Sequence, residues 1–121
     1  MIRYIDTLNS EWFVACLDIG HAMLVCEDPA MFIKALGKKR LRALHVHDVD
    51  GTNDSHTLPY FGIGDWTGIM SALGEIGYEG DLTFESDRFF SRKPEKLYPA
   101  CAKFMAQTGR ALIKIAENAA K

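Results

Sequence analysis

Apolar residues fall along this chain in two alternating patterns, compact runs and helical stripes, and their alternation sets the order of elements. Ile2, Ile5 and Leu8 share one side at helical spacing before Asn9-Ser10 breaks the pattern, which predicts the tail of a helix. Trp12 to Leu17 is a short aromatic, branched and apolar run that ends at Asp18-Ile19-Gly20-His21, so a buried strand passing into a loop is expected. Asp28 with Pro29 after it has the form of a helix start. Met31, Phe32, Ala35 and Leu36 supply that helix's apolar stripe, and Gly37 stops it ahead of the basic run Lys38-Lys39-Arg40.

A second buried strand is predicted over Ala43 to Val46, again ending in polar residues, His47, Asp48 and Asp50, before a loop rich in Gly, Asn, Asp and Ser. Asp65 is placed to cap a helix carrying Trp66, Ile69, Met70, Leu73 and Ile76, with Gly77 closing it. A third strand, Asp81 to Phe84, runs into Glu85. After the stretch from Arg88 to Arg92, Lys93 or Pro94 opens a long terminal helix with Leu97, Cys101, Phe104, Met105, Leu112, Ile113 and Ile115 as its apolar positions and Gly109 as a candidate bend. The order is α-β-α-β-α-β-α, and strands separated by crossovers of this length pair in parallel.

Each predicted strand ends in a carboxylate or a histidine, and in α/β folds ligands bind at the C-terminal edge of the sheet. Side chains alternate across a strand, so Cys16 shares a face with Asp18, His45 with His47, and Thr83 with Glu85. Asp18, His45 and Glu85 together offer carboxylate oxygens and an imidazole nitrogen, a donor set suited to Mn²⁺, Mg²⁺, Co²⁺ or Zn²⁺. A lone Asp at a strand end is usually a cap; the Gly-His that follows Asp18 turns the reading toward a site. Glu85 directly follows an apolar strand and is costly to bury without a cation or hydrogen-bond donors. Asp48 reads as a loop cap.

The stretch Cys16-Leu17-Asp18-Ile19-Gly20-His21-Ala22 resembles the "LDxGHA" strand end of xylose-isomerase-like TIM barrels. A second block extends the likeness through Leu44-His45-Val46-His47-Asp48, Asp54-Ser55-His56, Pro59, Gly62, Gly64 and Asp65-Trp66 to Leu73, Ile76-Gly77-Tyr78-Glu79-Gly80 and Thr83-Phe84-Glu85. That superfamily includes sugar isomerases, keto-sugar epimerases, inosose dehydratases and endonuclease IV. The resemblance implies an α/β fold, a partial (β/α) barrel of about three parallel strands with flanking helices, equivalent to strands six to eight of an eight-stranded barrel. It implies Asp18, His45 and Glu85 as metal ligands, and His21, Asp54 and His56 as substrate contacts or holders of a second metal. Glu85 and His21 are its catalytic candidates, His21, His47, His56 and Arg88 its substrate-binding ones. The implied chemistry is metal-assisted proton transfer beside a carbonyl, through an enediolate, on a sugar or sugar phosphate.

Residues 1–121 are expected to form a single C-terminal unit of such a barrel, because family members are more than twice this long. The upstream part would add another glutamate ligand and the rest of the wall. Three strands cannot close a barrel, so the open edge is expected to be covered by self-association. An inactive fragment that only folds and associates is one alternative, and an endonuclease IV-like zinc phosphodiesterase another.

Composition narrows these readings. The 121 residues are 48% hydrophobic and 25% charged, as in an ordinary globular domain, and the net charge of −2 carries no basic stripe for nucleic acid. Cys16, Cys26 and Cys101 are odd in number and set in apolar sequence, which fits buried thiols in a reducing cytoplasm. No apolar run approaches a membrane span, and the first residues lack the pattern of a secretion signal.

Overall fold

The computed structural model describes residues 1–25 and 28–121. Helix α1 (Ile2–Leu8) ends where Asn9 takes a left-handed conformation at φ 43°. Strand β1 (Ala15–Asp18) passes directly into helix α2 (Ile19–Val25), where a loop was expected. The reason is local: the Asp18 carboxylate accepts the His21 amide at 2.9 Å and so starts the helix. Helix α3 (Pro29–Arg40) is capped by Asp28, which accepts from Ala30 N and Met31 N, and it is broken at Gly37, whose φ of 66° favours glycine. Strand β2 (Leu41–His45), helix α4 (Trp66–Glu75) and helix α5 (Tyr98–Ala119) complete the order.

β1 and β2 pair in parallel with Cys16 opposite Ala43, Leu17 opposite Leu44 and Asp18 opposite His45. The expected third strand is reduced to one parallel bridge between Val46 and Phe84, closed by Val46 N to Thr83 O at 2.8 Å and Glu85 N to Val46 O at 3.0 Å. Before it the Asp81 carbonyl accepts from the Tyr78 hydroxyl rather than from a strand. The single bridge is still enough to deliver Glu85 beside the end of β2. The architecture is that of a partial barrel, two paired strands and a third reduced to a bridge, with helices packed on one face.

Alternation along the strands separates two faces. Leu17, Leu44 and Val46 are buried with Ile19, Ile33, Leu36, Trp66, Ile69, Met70, Leu73 and Leu112 in one core beneath the helices. Cys16, Ala43, His45 and Thr83 are exposed on the other face, which lines the interior when such a barrel closes. Cys16 is therefore not the buried thiol that its apolar neighbours suggested; Cys101 is buried, and Cys26 lies outside the described residues. The stripe expected on α3 is rotated: Pro29, Ile33 and Leu36 are buried while Met31 and Ala35 are exposed. The stretch ahead of β1 is also more open than a core strand, with Trp12 86% exposed.

The terminal helix starts later than expected, at Tyr98, after a 3-10 turn over Glu95–Leu97, and Pro99 fits its first turn. It buries Cys101, Thr108, Gly109 and Leu112, a helical stripe. It runs through Gly109 as one helix, and that glycine instead brings the backbone close to Phe84. A similar close approach joins α4 to α5, where a Cβ at Gly74 would overlap the Ala116 carbonyl. Gly to Ala inside a helix ordinarily gains up to about 1 kcal/mol. Here Gly74→Ala must push two backbones apart, so a net loss of about 1–3 kcal/mol is expected in urea denaturation.

Candidate metal centre

All four histidines of the chain come together at the C-terminal end of the two strands, with Asp18, Asp54 and Glu85 among them. The parallel register puts Asp18 opposite His45, and the Val46–Phe84 bridge sets Glu85 next to them. His45 Nδ1 lies 2.8 Å from Glu85 Oε2 and 3.9 Å from Asp18 Oδ2. Asp18 Oδ1 lies 2.9 Å from His47 Nε2, and Asp18 Oδ2 lies 3.0 Å from His21 Nδ1. His21 sits one helical turn beyond Asp18 on α2, which is why one short motif supplies both.

The loop after β2 brings a second set. His21 Nε2 is 3.3 Å, and His56 Nε2 3.1 Å, from Asp54 Oδ2. The His47 and His56 rings stack with centroids 4.1 Å apart, and His21 stands edge-on to both. His56 has a φ of 41°, a backbone region sparsely used by residues other than glycine and concentrated at functional sites. Two groups of donor atoms result, each compact enough to share an ion: Asp18, His47 and Glu85, and His21, His47, Asp54 and His56.

His47 belongs to both groups and is fully buried, whereas the side chain of His45 is 49% exposed. Sequence reasoning gave His45 the ligand role and His47 a supporting one; the geometry brings both to Asp18, with His47 the closer. Arg88 is exposed on the 3-10 turn over Asp87–Phe89, and the residue of that turn that reaches the cluster is Asp87, whose Oδ1 lies 3.4 Å from His56 Nδ1.

Two imidazoles share one orientation scheme. His47 Nδ1 faces the Asp48 carbonyl at 3.4 Å and His56 Nδ1 the Glu85 carbonyl at 3.0 Å, while each Nε2 faces a carboxylate oxygen. A histidine that donates Nδ1–H to a carbonyl has its Nε2 lone pair free for a cation. Burial works to lower the pKa of His56, but the Glu85 carbonyl and the charge of Asp54 raise it above the usual histidine value. Burial likewise opposes the ionised form of Asp54, yet hydrogen bonding to His21 and the charge of His56 hold its carboxyl below the usual range. Partial burial, then the charges of Asp18 and Glu85, push the Cys16 thiol up, which disfavours a thiolate ligand beside the site.

Two buried oxygens bear on the fit to a cation. Asp54 Oδ1 has no hydrogen-bond partner, and Glu85 Oε2 makes no hydrogen bond and meets the His45 ring as an ion-pair contact at 2.8 Å. A buried carboxylate oxygen left unpaired is unfavourable, and a divalent ion among oxygen and imidazole donors removes the cost.

Sequence reasoning missed Asp48 as a structural centre. Its buried carboxylate accepts Val49 N, Tyr60 N, Gly64 N and Trp66 Nε1. The tryptophan and glycines of that loop were visible in the sequence, but nothing local says which acid they surround.

The sequence profile of the xylose isomerase-like TIM barrel family matches residues 1–108, and the chain belongs to that family. It is 34% identical over 89 residues to the uncharacterized protein y4fM of Sinorhizobium fredii, covering 72% of this chain and 28% of that one. An uncharacterized protein of Methanocaldococcus jannaschii is 28% identical over 88 residues, covering 71% of this chain and 30% of its own length. A solved structure of L-ribulose 3-epimerase shares the fold with a TM-score of 0.65 at 23% identity, over 97% of this chain and 40% of that chain. The chain thus spans under a third of the curated relatives it matches. Among the described residues no helix is long and apolar enough to cross a membrane.

Gly20 sits against the His47 ring so closely that a Cβ there would overlap it. Gly20→Ala is expected to keep the helical content and displace His47 from Asp18, read as a moved imidazole ¹⁵N signal of His47 at unchanged far-UV circular dichroism.

Proposed function

We propose that this chain forms the metal-binding side of the active site of a sugar isomerase or epimerase, as one C-terminal unit over residues 1–121 of a larger barrel. The ion, one of Mn²⁺, Mg²⁺, Co²⁺ or Zn²⁺, is held by Asp18, His45 and Glu85, with His47 adjoining. The observation that carries the reading is the convergence of Glu85 Oε2 on His45 Nδ1 at 2.8 Å, with Asp18 Oδ2 3.9 Å from the same nitrogen. Family membership and the fold shared with an L-ribulose 3-epimerase support the substrate class, a sugar or sugar phosphate. The reading is of a cytosolic enzyme, in keeping with an odd number of cysteines.

When bound, a divalent ion polarises a carbonyl and a neighbouring oxygen. Glu85, at the end of the bridge, is placed to move a proton at the adjacent carbon. His21 is half exposed at the mouth of the cluster and presents its ring to substrate hydroxyls, with His47 and His56 behind it. Arg88 is the candidate for a substrate phosphate. His21, Asp54 and His56 are the place for a second ion.

That second donor group is also what favours a zinc phosphodiesterase of the endonuclease IV type. The net charge of −2 and the absence of a basic stripe weigh against it, because phosphate contacts dominate affinity for DNA. Metal analysis with activity assays separates the readings: one ion and sugar turnover support the first, zinc with nicking of abasic DNA the second, and neither leaves a chain that only folds and associates. For the first reading, calorimetric titration is expected to show Glu85→Gln or His45→Ala weakening metal binding by roughly tenfold or more, and Asp54→Asn by less. Equal, negligible effects from all three reject the ligand assignment.

The outer edge of β1 has no strand partner among the described residues, and Tyr4, Leu8, Trp12, Phe13 and Val14 are exposed along α1 and the approach to β1. Unpaired strand edges beside apolar surface favour association, and a second copy is the occupant proposed for this edge. Sedimentation at micromolar concentration is expected to show a dimer or larger; a stable monomer there rules it out.

A further inference from the structure

Asp48 lies fully buried where β2 gives way to the loop that carries Asp54 and His56. Its Oδ1 accepts Val49 N at 2.9 Å and Gly64 N at 3.0 Å, and its Oδ2 accepts Tyr60 N at 3.0 Å and Trp66 Nε1 at 2.7 Å. The backbone of the same residue pairs with Thr57 in both directions, at 2.8 and 3.1 Å, and its carbonyl faces His47 Nδ1. The loop is thus fastened at Thr57, one residue after His56, and again at Tyr60, Gly64 and Trp66. Two further features fit a chain wound tightly around a carboxylate. Tyr60 takes a φ of 76° while its N–H reaches Oδ2, and a Cβ at Gly62 would overlap both Oδ1 and the Val49 carbonyl.

We propose that Asp48 is a positioning residue of the metal centre, holding His47, Asp54 and His56 in register with Asp18 and Glu85. The inference rests on the metal-dependent reading of the site and extends it to a residue whose own carboxylate is taken up by four N–H donors. Its two routes are distinct: the carboxylate sets the path of the loop, and the carbonyl sets the orientation of the His47 ring. A carboxylate is required because every group around it is a donor, and a carboxylate offers acceptors alone. Each oxygen receives two N–H groups, so an asparagine, in either orientation of its amide, turns an NH₂ toward two of them. The loop then has to move, and with it Asp54 and His56. Outer partners that orient ligands in this way typically change metal affinity by roughly 10–100-fold when removed.

The test uses Asp48→Asn and Trp66→Phe in the full chain. Far-UV circular dichroism reports folding, the imidazole ¹⁵N signals of His47 and His56 report positioning without metal, and Co²⁺ titration reports affinity. Asp48→Asn is expected to stay folded, to move both histidine signals, and to weaken Co²⁺ binding by roughly tenfold. Trp66→Phe removes one donor of four and leaves the carboxylate, so it is expected to move the same signals in the same direction and by less. If Asp48→Asn does not fold, Trp66→Phe decides alone. Unmoved His47 and His56 signals in the folded variants, or a Co²⁺ affinity for folded Asp48→Asn within about twofold of the unaltered chain, overturn the proposal. Should the unaltered chain bind no Co²⁺, the metal reading falls by itself and the histidine signals alone judge the positioning role.

Discussion

The parallel pairing that sets Asp18 beside His45 is the constraint on which the rest of the site depends. Parallel strands end on the same side of a sheet, so each crossover returns a new terminal side chain to the same edge. The Val46–Phe84 bridge extends that rule by one residue pair and adds Glu85. Without it three acidic or imidazole groups from distant parts of the chain have no reason to meet, and the helices serve mainly to bury the opposite face of the strands. Ridding that face of water also fixes which way the polar residues point, since a slip by one residue would exchange Leu17 for Asp18 and Leu44 for His45.

Bringing the groups together creates an electrostatic problem that the protein solves only in part. Asp18 is satisfied by the His21 amide and by two imidazoles, and Asp54 Oδ2 by His21 and His56. Asp54 Oδ1 remains buried without a donor, and Glu85 Oε2 has the His45 ring beside it, at 2.8 Å, as an ion-pair contact. A native fold seldom leaves such atoms unpaired, and those it does leave call for an ion, a water or a substrate. His47, stacked on His56, belongs to both donor groups and so links them.

The surface of the molecule is as informative as its core. The face bearing Cys16, Ala43, His45 and Thr83 is open, and the approach to β1 exposes large apolar side chains. Side chains of that kind line the packed interior of a closed barrel. This chain covers 40% of the solved epimerase chain whose fold it shares.

Much of this was legible in the sequence, and the physical reasons divide cleanly. Asp28 before Pro29, Asp65 before Trp66 and Gly77 marked helix ends, and Gly37 marked the break inside α3 rather than its end, because capping and left-handed backbone are decided within a few residues. The alternation of strand residues named the sides on which Asp18, His45 and Glu85 lie. The sequence did not reveal that Asp18 starts a helix at once, that α3 buries Ile33 rather than Met31, or that the third strand shrinks to a bridge. Each of those depends on what packs against the segment, which periodicity cannot see. The meeting of all four histidines, the buried Glu85 and Asp54 oxygens and the donors that Tyr60, Gly64 and Trp66 turn on Asp48 were likewise settled only by tertiary structure, since they join separate elements, as far apart as Asp18 and Glu85, whose distances no local pattern encodes.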